Sequence, residues 1–471
     1  MPTQEPISIM PCQNGIVRES AVDELLVPQN TVQWAMNLHF DRIGSATLRK
    51  GLTIVGSTIE VAPVLGMVNY RNNARTTFRL LAKLDTDVYA WNGTNWTSVR
   101  SSLTASSKAR FTNFVDYAFM VNGSSNQAMQ TYNGTFGTTN VASLPAGDVI
   151  ENYRSRIWVG DASTDKLYYS NVVTTSNTIT GGTAFIQISP QDGDKMTGLK
   201  RSKTALLVFK NEHIYRVFSI NSSDPDPKIN VGTYSHESIL EDKRAISFHH
   251  SSGFYEYLEG GVQEISRPII DIVQAIPRTY YENVSGWTDE NHRYWSIGDI
   301  TLAGVSFANI IVCYTISTQV WTVYSTNSEI RSATEYDDGT TITRVVGDDV
   351  GNVLTFDSGT SDNGASIAYD LITHPYYFTS IRSTSKDLTE IATLHENAHG
   401  GNLSYKLDSD LPNEWRPIGS LTRDIYQRDS MNAIGFNKIR FRFHGSTIGS
   451  PFSFRGWELL NMVTTGAIMA K

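Results

Sequence analysis

A chain of 471 residues is too long for one ordinary hydrophobic core and points to more than one folding unit. Charged residues make up only 18%, while Gly, Ser, Thr, Asn and aromatics abound, which favours strands joined by tight turns over helices with Lys- and Glu-rich outer faces. The net charge of -8 argues against a protein that grips nucleic acid, because such affinity comes from neutralising phosphates.

The opening residues lack the basic and apolar regions of a secretory signal, and no run approaches the roughly 18 apolar residues of a membrane span, so no membrane insertion is expected. The Asn-x-Ser/Thr sites at Asn92, Asn133 and Asn283 then read as turn chemistry. Two cysteines cannot build a disulfide framework, and Cys313, inside the apolar run 308–316, reads as a buried small hydrophobe.

Residues 1–60 are expected to form an N-terminal segment that closes or braces the domain after it. Within it, Gln29 to Met36 is expected to make a helical turn or two, with Val32, Ala35 and Met36 inward. From 61 to 360 the chain is a succession of hairpin phrases. Segment 87–93 alternates and ends in Asn92-Gly93, and 129–134 ends in Asn133-Gly134; this dipeptide suits the positive φ angles of a tight hairpin. Comparable phrases recur at 156–170, 205–217, 253–265, 310–324 and 343–356.

One landmark per phrase, at Tyr89, Tyr132, Tyr168, Tyr215, Val262, Tyr314 and Leu354, gives gaps of 36 to 52 residues, the spacing of propeller blades. A four-stranded sheet cannot cover both its faces alone, so such units arrange radially. The prediction is an all-β chain with a β-propeller of about seven blades, six or eight being compatible. The competing arrangement is a set of stacked hairpin sheets with no circular closure.

One helix is predicted between Pro268 and Pro277, where Ile269, Ile272, Val273 and Ile276 recur at helical spacing. After 360 the strands lengthen, and 361–471 is expected to form a β-sandwich domain. There Leu403, Tyr405 and Leu407 would share one face, as would Ile439, Phe441 and Phe443.

His395-Glu-Asn-Ala-His399 matches the H-E-x-x-H pattern of zinc proteases, in which a helix stacks two histidine ligands one turn apart and the glutamate polarises water. Gly400-Gly401 would end any helix at once, so His395, Glu396 and His399 read as a turn between strands. His249 and His250 point to opposite faces of a strand and cannot share a metal. Asp337-Asp338-Gly339 and Asp348-Asp349 lack the rest of a calcium loop. The nine tryptophans are expected to pack between blades, although they would also suit a sugar site. No catalytic, cofactor-binding or metal residue is assigned, and no enzyme activity is expected; ionisable groups converging in a deep pocket at the centre would reverse that.

Several phrases, in order, resemble the tail-nozzle, or packaged-DNA stabilisation, proteins of short-tailed bacteriophages: Gly15-Ile-Val-Arg18, Leu25-Leu-Val-Pro28, Ala35-Met-Asn37, Gly44 to Gly51, Val121-Asn-Gly123, Arg156-Ile-Trp158, Leu206 to Lys210 with Ile214-Tyr215, Gly261-Val262, Trp415 to Gly419 and Arg440-Phe-Arg-Phe443. The resemblance implies a structural protein of the virion tail, assembled in the host cytoplasm as a homo-oligomeric ring, often a hexamer. Its expected partners are the adaptor or portal ring and a tail fibre or needle, with packaged DNA passing through the lumen without specific binding. An acidic lumen suits that role, since it would not hold a polyanion that must leave. The alternative is a carbohydrate- or receptor-binding propeller module of the virion.

Overall fold

The computed structural model describes residues 6–18, 26–137, 144–173, 179–220, 226–259, 261–378, 384–412, 414–423, 425–447 and 451–465. Six self-contained four-stranded antiparallel sheets, each a hairpin succession, form the blades of a β-propeller. Five come from contiguous chain, at 64–100, 110–137, 149–187, 196–229 and 240–264. The sixth joins Ile330–Asp337, Ile342–Asp348 and Val353–Phe356 to a strand from near the N-terminus, Leu52–Ile54. Between the fifth and sixth, the gap is filled by Ser285–Thr288, His292–Leu302, Val305–Thr315 and Val320–Ser325, which belong to a nine-stranded sheet. The ring closes where Ile330–Asp337 packs on Val64–Arg71.

What holds the ring together is apolar surface shared between neighbouring sheets. Trp158 and Leu167 of one blade pack with Leu206 and Val208 of the next; Phe209 packs on Phe248 with ring centroids 5.2 Å apart; Val64 and Leu80 meet Val345 and Val353 across the closure. Each such side chain, fully buried, stabilises the fold by roughly 1.5–3 kcal/mol, which no isolated four-stranded sheet could collect on both faces. The hairpin signals act where expected: Gly93 (φ 97°) and Gly134 (φ 116°) adopt the left-handed conformation that side-chain-bearing residues resist.

Six of the seven landmarks fall on the third strand of their sheet; Val262 falls on the fourth. The wide spacing after it holds the only described α-helix, Ile270–Ala275, between short 3-10 turns, with Ile269, Ile272, Val273 and Ile276 buried. The helical turns expected at 29–36 are instead the strand Val32–Met36. It lies between Val320–Ser325, to which it runs parallel, and Ile367–Thr373, to which it runs antiparallel, so ladder bonds to two neighbours override a weak helical spacing.

The residues after 360 form two stacked sheets, but not alone. The nine-stranded sheet continues from the propeller through Val32–Met36 to Ile367–Thr373, Ile439–Thr447, Asn402–Leu407 and Arg416–Ser420. Facing it, a seven-stranded sheet combines Ser385–Glu396, Tyr426–Phe436, Ser453–Leu459 and Met462–Thr465 with three early strands, Ile7–Ile9, Leu38–Arg42 and Ser45–Leu48. Phe443 stacks on Phe454 at 4.4 Å and Phe441 meets Trp457 at 5.3 Å across the interface. Leu403, Tyr405 and Leu407 share the buried face, as do Ile439, Phe441 and Phe443. The partition into 1–60, 61–360 and 361–471 is therefore corrected: the first segment closes the propeller at 52–54 and also supplies strands to both later sheets. Its anchor is Arg49, which donates to both carboxylate oxygens of Asp362 (2.8 and 2.5 Å) and to Asn37 Oδ1 (2.7 Å), all buried, and to the partly buried Ser325 carbonyl (3.0 Å).

Candidate metal centre

His395 and Glu396 end the strand Ser385–Glu396, where consecutive side chains point to opposite faces. His395 is 2% exposed, whereas the Glu396 side chain is 59% exposed beside Arg455. Asn397 (φ 56°) and Gly400 (φ 79°) then turn the chain, carrying His399 with it. The helical stacking that zinc-protease chemistry requires is not formed by these residues. His249 sits among Phe254 and Tyr281, while His250 faces Glu212 (3.1 Å) and Ser252 (2.7 Å), so the pair separates as the pleat demands. The Asp338 and Asp348 carboxylates accept hydrogen bonds from their own turns, Asp338 from the Thr340 and Thr341 amides and Asp348 from Val350 and Asn352.

Where the first strands begin, Glu237 accepts from Arg110 Nε (2.8 Å) and Lys108 Nζ (3.0 Å). Glu237 lies in a 3-10 turn, His236–Ser238, between the fourth and fifth blades, and Arg110 starts the first strand of the second, so the pair braces parts of the ring that are not neighbours. Burial would raise the Glu237 carboxyl, but Arg110 and Lys108 outweigh it and hold it well below the usual carboxylate range. Two cations and one carboxylate thus share this buried cluster. On the innermost strands a cavity of about 640 Å³ is rimmed by Asn69, Asn113 and Asn152 and by the ionisable side chains of Arg71, Arg75, Arg201, Glu335 and Asp337. Amides there link blade to blade: Asn113 Nδ2 donates to the Asn69 carbonyl (2.7 Å), Asn152 Nδ2 to the Asn113 carbonyl (2.9 Å), and Arg201 to Asn152 Oδ1 (2.6 Å).

A third grouping lies where the early strand Leu38–Arg42 meets the nine-stranded sheet. His39 and Asp41, two apart on that strand, present the same side, next to a register shift in its pairing with Ser45–Leu48. His292, at the start of its own strand, points its Nε2 at Asp41 Oδ1 (2.7 Å) and its Nδ1 at Asp289 (3.0 Å). Asp289 is itself fixed by the Asn291 and His292 amides (both 2.7 Å) and by the Tyr294 hydroxyl (2.9 Å). The Tyr324 hydroxyl lies 2.7 Å from His39 Nδ1, and the two imidazole rings are 5.3 Å apart. Donor atoms of His39, Asp41 and His292 all fall within 4.8 Å of one another, the one such trio among the described residues.

The charges fit that geometry. Burial works against a charged His292, yet its bonds to Asp289 and Asp41 outweigh burial and raise it to about 9. Asp289 is held down at about 2: burial opposes this, and the His292 contact dominates. Burial pushes His39 below its ordinary range, so it stays neutral with a lone pair to offer. Sequence reasoning missed this trio because His39 and His292 lie 253 positions apart by their numbering, and neither H-x-D nor D-x-x-H is a specific signal.

No protein-family model and no curated protein matches the chain. Solved structures that resemble it include the extracellular domain of a hybrid two-component system from B. thetaiotaomicron (12% identity, 66% of this chain and 40% of that one, TM-score 0.42). The WD40 domain of Neurospora crassa Pan2 is similar over 66% of this chain and 94% of its own (10% identity, TM-score 0.41). Saccharomyces cerevisiae Sqt1 is similar over 66% and 99% (8% identity, TM-score 0.37).

Proposed function

We propose that this chain is a non-enzymatic structural protein of a bacteriophage tail, whose copies form a nozzle-like ring that extends the DNA channel below the portal or adaptor and helps retain packaged DNA. The observation that carries the reading is the construction of the propeller as a cross-braced block: Arg110 and Lys108 tie the second blade to Glu237 in the turn before the fifth, and Arg49 ties the propeller to the stacked sheets. A block of this kind suits load-bearing assembly, with the lumen formed between copies and not along the propeller axis. The net charge of -8 suits a wall past which DNA must move. Electron microscopy of the purified chain and of intact particles tests this. Rings and stoichiometric presence in the tail are expected; a monomer at high concentration together with absence from particles overturns it.

A second reading, a carbohydrate- or receptor-binding module of the virion, rests on the amide-rich mouth. Asn69, Asn113, Asn152 and Arg201 offer the donors and acceptors that sugar hydroxyls need. A glycan array decides it: a hit lost in Arg201→Ala favours this reading, and no hit removes it.

A further inference from the structure

We propose that His39, Asp41 and His292 form a divalent transition-metal site, suited to Zn²⁺, that staples the early strand Leu38–Arg42 to the propeller-derived sheet. The ligand set is two imidazoles and a carboxylate, and imidazole nitrogen is a favoured donor for zinc. Around a tetrahedral ion with bonds of about 2.0–2.2 Å, donors sit roughly 3.3 Å apart. The trio lies within 4.8 Å, and Asp41 Oδ1 to His292 Nε2 is 2.7 Å, so only small side-chain adjustments are needed.

The surrounding residues are arranged as an outer shell. Asp289 accepts from His292 Nδ1 at 3.0 Å, which fixes the ring so that Nε2 faces the trio; a carboxylate behind a ligating histidine orients it and raises its basicity. The backbone amides of Asn291 and His292 and the Tyr294 hydroxyl hold Asp289 in turn. The Tyr324 hydroxyl lies 2.7 Å from His39 Nδ1 and 3.1 Å from Nε2, so a small rotation of the ring lets it hold one nitrogen while the other meets the ion. Arg49, whose guanidinium carbon lies 5.6 Å from the Tyr324 ring centre, is engaged by Asp362.

Asp41 and Asp289 both face the His292 ring, which places two carboxylates beside the position of the dication. The Asp41 side chain is 42% exposed, which provides an entry path and leaves a coordination position for water.

The experiment uses the full chain, stripped with EDTA, reloaded with one equivalent of Zn²⁺ or Co²⁺ and desalted. The wild-type chain should retain about one zinc, show the visible bands of tetrahedral Co²⁺ and melt higher with zinc than with EDTA. Asp41→Asn and His39→Gln, which leave the Asp289–His292 pair intact, should lose the zinc-dependent melting shift. Asp289→Asn keeps an acceptor for the turn amides and should weaken zinc binding about 10- to 100-fold. His399→Gln, in the unassembled H-E-x-x-H motif, should bind as wild type. Equal melting with zinc and EDTA in the wild-type chain, or zinc retained by Asp41→Asn and lost by His399→Gln, overturns the proposal.

Discussion

The propeller and the stacked sheets are both antiparallel β-structure, yet they are assembled by opposite rules. Five of the six self-contained blades come from contiguous stretches of chain, so their ladders join residues a few positions apart, as Tyr153 to Arg156 or Trp91 to Trp96. In the stacked sheets partners lie hundreds of residues apart: Ile9 pairs with Trp457 and Ala35 with Leu371. Loop-closure entropy must be overcome before such distant pairs contribute, so the blades can gather stability locally while the stacked sheets must wait for both ends of the chain. The early segment, which closes the propeller and completes both sheets, is where the two rules meet.

The largest effect expected from this contrast comes from removal of residues 1–54. The sixth blade would lose its outer strand, and the seven-stranded sheet three of its strands. Both regions should then lose cooperative unfolding by calorimetry, the stacked sheets completely. A sharp transition retained by residues 361–471 would break the comparison, because it would mean that those strands suffice for each other.

The same contrast explains what the sequence could reveal. A blade announces itself through nearby residues, an alternating strand and an Asn-Gly turn, so the hairpin phrases and most blade landmarks land on the observed strands. The helix after Pro268 was legible for the same local reason. Val32–Met36 was not: its conformation is dictated by Val323 and Leu371, neighbours that no window around it contains. Inward positions such as Phe441 and Phe443 were legible from alternation alone, but their partners Trp457 and Phe454 were not. The candidate site divides likewise. H-E-x-x-H is a local pattern that the strand dissolves, whereas His39, Asp41 and His292 converge only through the fold.

A smaller effect separates the joint from a blade interior. Arg49→Met leaves Asp362 buried without its partner, with side chains only 2% and 5% exposed in the pair, and should cost roughly 3–5 kcal/mol. Lys210→Met, within the propeller, removes a fully buried ammonium from Asp192 (2.8 Å) and Asp165 (3.1 Å), but these carboxylates are 23% and 17% exposed and can turn to water. Its cost should be lower. Urea unfolding of both variants measures the difference, and equal or reversed costs would show that the joint is no more constrained than the blades.

Acid should act on the propeller through histidines buried in neutral form. Burial, with Arg110 nearby, lowers His236 to about 3, and burial beside His250 lowers His249 to about 3. Both return to about 6.5 in the unfolded chain. Between these values the unfolded state binds protons that the native state refuses, so stability is full above pH 6.5 and falls as pH drops towards 3. The slope expected is on the order of 1 kcal/mol per pH unit for each histidine. Urea midpoints from pH 7 to pH 4 check it; a flat profile would mean that both rings are protonated in the native state.

The smallest effect isolates one of them. His249 lies in a blade strand between Phe254 (5.1 Å) and Tyr281 (5.3 Å), and both its ring nitrogens are buried without a hydrogen-bond partner. Phenylalanine conserves the ring and removes two polar atoms whose desolvation is uncompensated. His249→Phe should therefore be neutral to slightly stabilising at pH 7, by at most about 1 kcal/mol. Its advantage should grow below pH 6.5, because the variant has no proton to refuse, and reach on the order of 1–2 kcal/mol near pH 5. Paired urea titrations at pH 7 and pH 5 read this as a gap between variant and wild type that widens with acid. A constant gap would assign the acid sensitivity to His236, in the turn between the fourth and fifth blades, and leave the blade interior indifferent to pH.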